Sequence, residues 1–282
     1  MDWLFLRRKT TNYAALALSL LSAAFGIFFL FWILKDVLAK GLPAMNQAFF
    51  TELPAPPGTE GGGMANAIVG TLLMTVIATL IGVPSGIMAG TYLSEYGRKS
   101  RVAAVVRFLS DILVSAPSIV IGVFVYATLV KPLGGFSALA GSVALAIIML
   151  PVVVRTAEEM LKLVPDSTRE AALALGAPHW KATVHVVYRG AIRGITTGVM
   201  LAIARVSGET APLLFTSFNN SFWNFKLREP MASLTVTIFN YAMAPYDDWH
   251  RQAWGAALLI TAAVLFMTIA ARIVLGGKGR ER

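Results

Sequence analysis

The chain has 282 residues, of which 56% are hydrophobic and 14% are charged, and its formal net charge is +9. Soluble domains carry roughly a quarter of charged residues, so this composition excludes a soluble globular protein. The absence of cysteine excludes disulfides and thiolate metal sites. The Lys and Arg residues flank apolar runs and form no single basic stripe, which argues against nucleic-acid binding.

Six stretches of the chain are apolar enough to cross a bilayer, which takes about 20 helical residues. They cover residues 13–34, 67–93, 109–130, 137–154, 191–218 and 254–275. The first is longer than the apolar region of a cleaved signal peptide, about 7–15 residues, so we expect it to be retained. The sequence therefore predicts an all-α polytopic membrane protein with six transmembrane helices.

Positive charge is shared unevenly between the two sides of this predicted bundle. The side of the N-terminus holds 17 Lys and Arg residues, the other side holds 6, and Arg205 lies within a span. Because short loops rich in Lys and Arg stay in the cytoplasm, we expect both termini to be cytoplasmic, in a bacterial inner membrane.

Three glycines in the second predicted span, Gly82, Gly86 and Gly90, share one helical face through their four-residue spacing. Small residues on one face let a neighbouring helix approach closely inside a membrane. We interpret them as a helix-packing face without a chemical role. Ordinary membrane glycines without a common partner are the alternative.

The loop at residues 155–190 is long and charged for a connection between two spans. Ser167 and Glu170 have the spacing of a capping box, Gly176 is placed to end a helix, and Pro178 suits the first turn of the next. The pattern predicts two short helices that project into the cytoplasm and dock into a partner. A nucleic-acid-binding helix-turn-helix is the weaker interpretation, because both ends are tethered to the membrane.

The residues of this loop resemble a known motif. Glu170, Ala171, Ala172 and Gly176 are similar to the EAA loop of the membrane subunits of ABC importers. In that family the loop forms a coupling helix that sits in a cleft of the cytoplasmic ATPase, so the resemblance implies this role for these four residues. The family's final Leu-Pro is missing at residues 188–189. Capping by Glu170 of its own helix is the alternative role, and the two are compatible.

Two charges, Arg205 and Glu209, lie inside the otherwise apolar fifth span, where a charge costs about 2.5–3.5 kcal/mol on insertion scales. Their spacing predicts that they share a helix face and partly neutralise each other. A guanidinium suits phosphate oxygens through parallel hydrogen bonds. We therefore expect Arg205, Glu209 and Thr210 to lie on a translocation path. A buried structural ion pair is the alternative.

The segment around these charges, residues 202–216, resembles the membrane subunits of phosphate-specific ABC importers, and its ending is similar to the PstA type. The similarity continues through residues 234–239, Ala244-Pro245 and Trp249 into the last span. It implies a pore-forming permease subunit with a type I ABC importer fold over residues 66–275. Residues 1–65 are then an N-terminal segment, a first span and an external loop, and residues 276–282 are a cytoplasmic tail.

The resemblance also implies partners and cofactors. The partners are a paralogous permease subunit (PstC type), an ATPase subunit dimer (PstB type), an external phosphate-binding protein (PstS type) and membrane lipid. ATP with Mg is then used by the ATPase, and this chain, which lacks a Gly-x-x-x-x-Gly-Lys-[Ser/Thr] loop, binds no cofactor and is not an enzyme. His179, His185 and His250 form no metal-ligand pattern, so no metal site is expected.

Three other functions are compatible with part of this pattern. An ABC importer for another oxyanion or nutrient differs from it only in the fifth-span motif. A secondary transporter would need no ATPase and commonly shows repeated halves with broken helices, and we find no convincing internal repeat in the sequence. A scaffold or sensor would have no need for Arg205 within the membrane.

Overall fold

The computed structural model describes residues 3–98 and 100–276, and the regular elements of this part are helical, which confirms the all-α prediction. The helices are α1 (Trp3–Gly41), α2 (Gln47–Thr51), α3 (Ala65–Thr91), α4 (Arg101–Ser115), α5 (Ser118–Val125), α6 (Lys131–Leu133), α7 (Ala138–Lys162), α8 (Asp166–Ala174), α9 (His179–Ala182), α10 (Tyr188–Ser207), α11 (Ala211–Leu214), α12 (Leu234–Ala242) and α13 (Asp247–Gly276). Residues 277–282, most of the predicted tail, lie outside the described residues, as does Lys99.

Single π-helical or 3-10 turns extend several of these helices. The π turns are Tyr92–Tyr96 after α3, Tyr126–Val130 after α5 and Thr183–Val187 between α9 and α10, and a 3-10 turn, Leu42–Ala44, follows α1. Within the described ranges, five helices are long and apolar enough to cross a membrane, and a bent pair of helices would make a sixth crossing.

The third predicted span, residues 109–130, is wrong as a single straight helix. α4 and α5 meet there at a bend of 106°. Ala116 and Pro117 have extended backbones with ψ of 134°. A proline disfavours helical geometry in the residue before it, so Pro117 turns the chain where the hydropathy pattern runs on unbroken.

The fifth predicted span, residues 191–218, is also wrong in its second half. α10 ends at Ser207 with Gly208 as its C-cap, and the chain resumes only as the short α11. Pro212 lacks a backbone N–H, and its ring would clash with the carbonyl of Gly208 in a continued helix. The helix therefore breaks between Arg205 and Pro212.

α7 is the central helix of the fold. In the 18-residue apolar stretch of each helix, 67% of the residues are buried in α7, against 28% in α3 and 22% in the helix that contains α10. The buried faces of α3 and α7 meet at Gly82, Gly86 and Gly90. A Cβ atom built on Gly90 would lie 2.7 Å from the backbone oxygen of Val154. The two helices are thus in backbone contact, which only glycine permits there.

A second glycine row, on α10, makes room for side chains of α7 and of the residues just after it. Gly190, Gly194 and Gly198 face the side chains of Val164, Met160 and Thr156. Sequence reasoning missed this row, although its four-residue spacing is the same signal as in α3. Both rows together bring α3 and α10 directly against the central helix.

Valine at Gly90 is expected to destabilise the protein. The new side chain would overlap α7 backbone atoms that cannot move aside on their own, and overpacking of this kind costs about 1–3 kcal/mol. The thermal midpoint of the purified protein in detergent would fall. Gly26→Val is the matched control, because a Cβ atom at Gly26 meets nothing within 4 Å. Equal losses in both variants would show that helix packing is not the cause.

Candidate functional site

The break after α10 places the two predicted membrane charges. Arg205 lies in the last turn of α10, whereas Glu209 lies beyond the helix end. The prediction that both share a helix face is therefore wrong. Arg205 Nε is still 4.0 Å from Glu209 Oε1, and the two side chains are 51% and 17% exposed. The separation is too long for a hydrogen bond, so the ion pair is loose.

Neighbouring helices hold the irregular backbone of this break. The Thr235 hydroxyl of α12 donates to the Glu209 carbonyl at 2.9 Å. The Thr210 carbonyl accepts from Leu213 N at 3.1 Å, which starts α11. On the other side, α11 packs against α5, where Pro212 lies against Gly122. Non-helical backbone at membrane depth is tolerated where protein satisfies it or where it lines a polar cavity.

Arg205 also stands at one end of an exposed row on α10. Arg193, Thr197, Leu201 and Arg205 are spaced four residues apart, and all are exposed or half-buried. An arginine thus lies at each end of a row that residues 3–98 and 100–276 leave exposed or half-buried. Such a face is suited to line a path or to contact a second subunit.

At the opposite end of α10, the predicted coupling loop contains α8 and α9. The capping box predicted at Ser167 is wrong, because α8 already begins at Asp166 after Pro165 and has no side-chain cap. The Glu170 side chain is consequently not engaged as a cap and is exposed, as is Ala171, while Ala172 is half-buried.

Gly176 ends α8, as its position in the sequence predicts. Its φ is +82°, a left-handed conformation that glycine adopts without a Cβ penalty. Gly176 N donates to the Leu173 carbonyl at 2.9 Å and Ala177 N to the Ala172 carbonyl at 3.2 Å. This pair of bonds is a Schellman motif, and it turns the chain sharply into α9.

Exposed apolar side chains surround the turn at Gly176. Leu175 is 90% exposed, Trp180 55% and Leu173 42%. Exposed apolar patches next to charged residues typically mark contact surfaces. Together with exposed Glu170, they give the loop a surface that can dock into another protein.

The second half of this loop is the beginning of the helix that carries Arg205. α9, the π turn and α10 form one helix from His179 to Ser207, 29 residues long. At 1.5 Å per residue, His179 and Arg205 are about 40 Å apart along its axis. The loop and the membrane arginine are therefore two ends of one continuous helix.

Comparison with known proteins places this architecture in a family. The model of the family described as "Binding-protein-dependent transport system inner membrane component" matches residues 82–276. The chain is 53% identical to the phosphate transport system permease protein PstA of Yersinia pestis, covering 96% of this chain and 92% of that protein. It is 50% identical to PstA of Haemophilus influenzae (95% and 95%) and 38% identical to PstA 1 of Mycobacterium tuberculosis H37Rv (96% and 89%).

Solved structures with a similar fold are also transporters. A chain of the MetNI methionine ABC transporter in an inward-facing conformation matches with a TM-score of 0.65 at 18% identity, covering 77% of this chain and 96% of that chain. A chain of a bacterial alginate ABC transporter matches with a TM-score of 0.65 at 12% identity (96% and 95%). At these identities the likeness concerns the fold, which is that of ABC importer permeases. The chain therefore belongs to the family of binding-protein-dependent transport system inner membrane components and is a multi-pass membrane protein.

Proposed function

We propose that this chain is the pore-forming permease subunit of an ATP-driven importer of inorganic phosphate. The observation that carries the proposal is its near full-length similarity, at 50–53% identity, to permeases named for phosphate transport. The loosely paired Arg205 gives that substrate a physical basis, because a guanidinium can bind phosphate oxygens in a bidentate manner.

The proposed assembly contains a PstC-type permease, a PstB-type ATPase dimer and a PstS-type binding protein. ATP with Mg belongs to the ATPase, and this chain binds no cofactor. An energy source is necessary, because each negative charge moved into a negative interior costs about 2.3 kcal/mol per 100 mV. The 17-to-6 distribution of Lys and Arg residues supports cytoplasmic termini and a cytoplasmic α8.

In this proposal the break after α10 is the polar step on the phosphate path. The Arg205 guanidinium is half-exposed and only loosely held by Glu209 at 4.0 Å, so within the described part of the chain no close partner stops it from donating to an entering anion. The Glu209 carboxylate repels that anion and weakens its binding. Binding must be weak enough for the ion to leave again, and Thr210 offers a neutral hydroxyl beside the pair.

Coupling follows from the continuous helix. Exposed Glu170 and the apolar residues Leu173 and Leu175 dock into the ATPase. Closure of the ATPase moves the loop, and the helix from His179 to Ser207 transmits this movement to Arg205. A rigid helix is suited to alternating access because it moves both ends together.

Replacing Arg205 by glutamine is expected to lower phosphate uptake at least about 10-fold, since hydrogen bonds to a charged group contribute about 1.5–3 kcal/mol. Arg205→Lys would keep part of the uptake, because it retains the charge but loses the planar fork. The measurement is uptake of radiolabelled phosphate at low concentration in cells that lack other high-affinity systems, with sulfate and molybdate as competitors.

Immunoblots of the membranes decide how the Arg205 result is interpreted. A loose ion pair predicts normal amounts of Arg205→Gln protein. If the variant instead failed to accumulate, Arg205 would be a structural residue. Competition by sulfate or molybdate in the wild type would assign the permease to another oxyanion.

The Glu170→Arg variant is expected to abolish uptake and to reduce copurification of the ATPase, while insertion stays normal because the Glu170 side chain is exposed and does not cap α8. Glu60→Arg, an equally exposed site far from α8, is the control and should leave copurification unchanged. Normal uptake by Glu170→Arg would contradict a docking role for this residue.

A further inference from the structure

Arg169 directly precedes Glu170 in α8 but points into the protein. Its side chain is 11% exposed, and it faces Glu95, whose side chain is 2% exposed. Arg169 Nε donates to Glu95 Oε2 at 3.0 Å and Nη2 donates to Glu95 Oε1 at 2.8 Å. This bidentate ion pair joins residues 74 positions apart in the chain.

The remaining donors of Arg169 reach the connection between α7 and α8. Nη2 donates to the Leu161 carbonyl at 2.7 Å, and Nη1 donates to the Val164 carbonyl and to Asp166 Oδ1, the latter at 3.1 Å. All five N–H groups of a guanidinium are thereby used. A fully satisfied, buried guanidinium has one geometry, so it fixes α8 relative to the end of α7.

Glu95 provides the link to α3. It lies in the π turn Tyr92–Tyr96, which continues α3, little more than a turn after the backbone contact of Gly90 with α7. π turns inside helices are rare and often occur at functional sites. A carboxylate at a helix C-terminus lies at the unfavourable end of the helix dipole. Glu95 therefore does not stabilise its own helix end, and its contact with Arg169 is the better explanation for its position.

A second ion pair repeats the link at the surface. Arg98 donates to both carboxylate oxygens of Asp166, at 2.9 and 3.3 Å. These hydrogen bonds lower the pKa of the Asp166 carboxyl below its usual range. The first turn of α8 is thus joined to the end of α3 twice, once inside the protein and once in solvent.

We propose that Arg169 is a positioning residue of the transport cycle: through Glu95 it makes α8, α3 and α7 one rigid body. This inference rests on the proposed function. Movement of the docked α8 then displaces α3 and α7 as well as the helix to Arg205. Stability alone is a weak reason for such a pair, because replacing a buried ion pair by apolar residues is often neutral or stabilising.

The test is the double variant Glu95→Met/Arg169→Met, which removes the ion pair without leaving a buried unpaired charge. The matched control is Arg107→Met/Glu158→Met. That pair also has a nearly buried carboxylate, with Arg107 Nε 2.7 Å from Glu158 Oε1. It joins α4 to α7 and, through Arg107 Nη2 and the Leu93 carbonyl at 2.9 Å, to the π turn after α3, but it does not touch α8. Its removal leaves Lys162, the other partner of Glu158, half-exposed to solvent. Each variant is reconstituted in proteoliposomes with the ATPase and the binding protein.

The first readout is the amount of phosphate transported per ATP hydrolysed. We expect it to fall about tenfold in the double variant, with ATP hydrolysis and thermal midpoint near wild type, and to stay unchanged in the control. An unchanged ratio in the double variant would overturn the proposal. The proposal would also be overturned if transport and ATP hydrolysis fell by the same factor and the thermal midpoint dropped. In that case the ion pair would have only a structural role.

The second readout does not depend on the substrate. The chain has no cysteine, so spin labels can be placed by Thr168→Cys in α8 and Met88→Cys in α3, both exposed sites. If α8, α3 and α7 form one rigid body, the distance between the two labels in the otherwise wild-type protein is narrowly distributed and the same with and without ATP. In the double variant we expect this distance to broaden or shift when ATP is added. A wild-type distance that changes with ATP would refute the rigid body even if phosphate proved to be the wrong substrate.

Discussion

The close approach of α3 and α10 to α7 is the constraint on which the rest of this structure depends. Inside a membrane no hydrophobic driving force brings helices together, so packing must do so. The glycine rows at residues 82–90 and 190–198 remove the side chains that would hold the helices apart. The first row holds α3 against α7, and the π turn that follows α3 carries Glu95 to Arg169. The second holds α10, whose last turn carries Arg205, against α7.

Two arginines in this chain illustrate opposite uses of the same side chain. Arg169 is buried and uses every donor on fixed partners. Arg205 is half-exposed and faces its nearest carboxylate at 4.0 Å. A guanidinium whose donors are all hydrogen-bonded within the protein cannot bind a ligand and instead fixes the elements it connects. A guanidinium with unused donors can still bind an anion. Hydrogen-bond satisfaction, rather than charge or depth in the fold, separates the two.

Sequence reasoning identified what depends on local composition. Apolar runs located the crossings, and the spacing of Glu170 and Gly176 located α8 and its end. It failed where backbone direction changes within an apolar run, at Pro117 and at Gly208, because hydropathy does not register a bend. It also passed over Arg169, since the partner that gives this residue its meaning is 74 positions away and only the folded chain brings the two together.

α1 differs from the helices of the core because almost all of its residues are exposed. Only Gly41 of its 39 residues is buried, and the helix meets α13 near its end, where Lys40 lies over the ring of Trp254. A helix with so few contacts adds little to the cohesion of its own chain. Its effect is on orientation. Adding or removing one membrane crossing before α3 would place every later loop on the opposite side of the membrane. Away from its contact with α13 at Lys40 and Gly41, its sequence can therefore vary as long as it stays apolar and keeps its length.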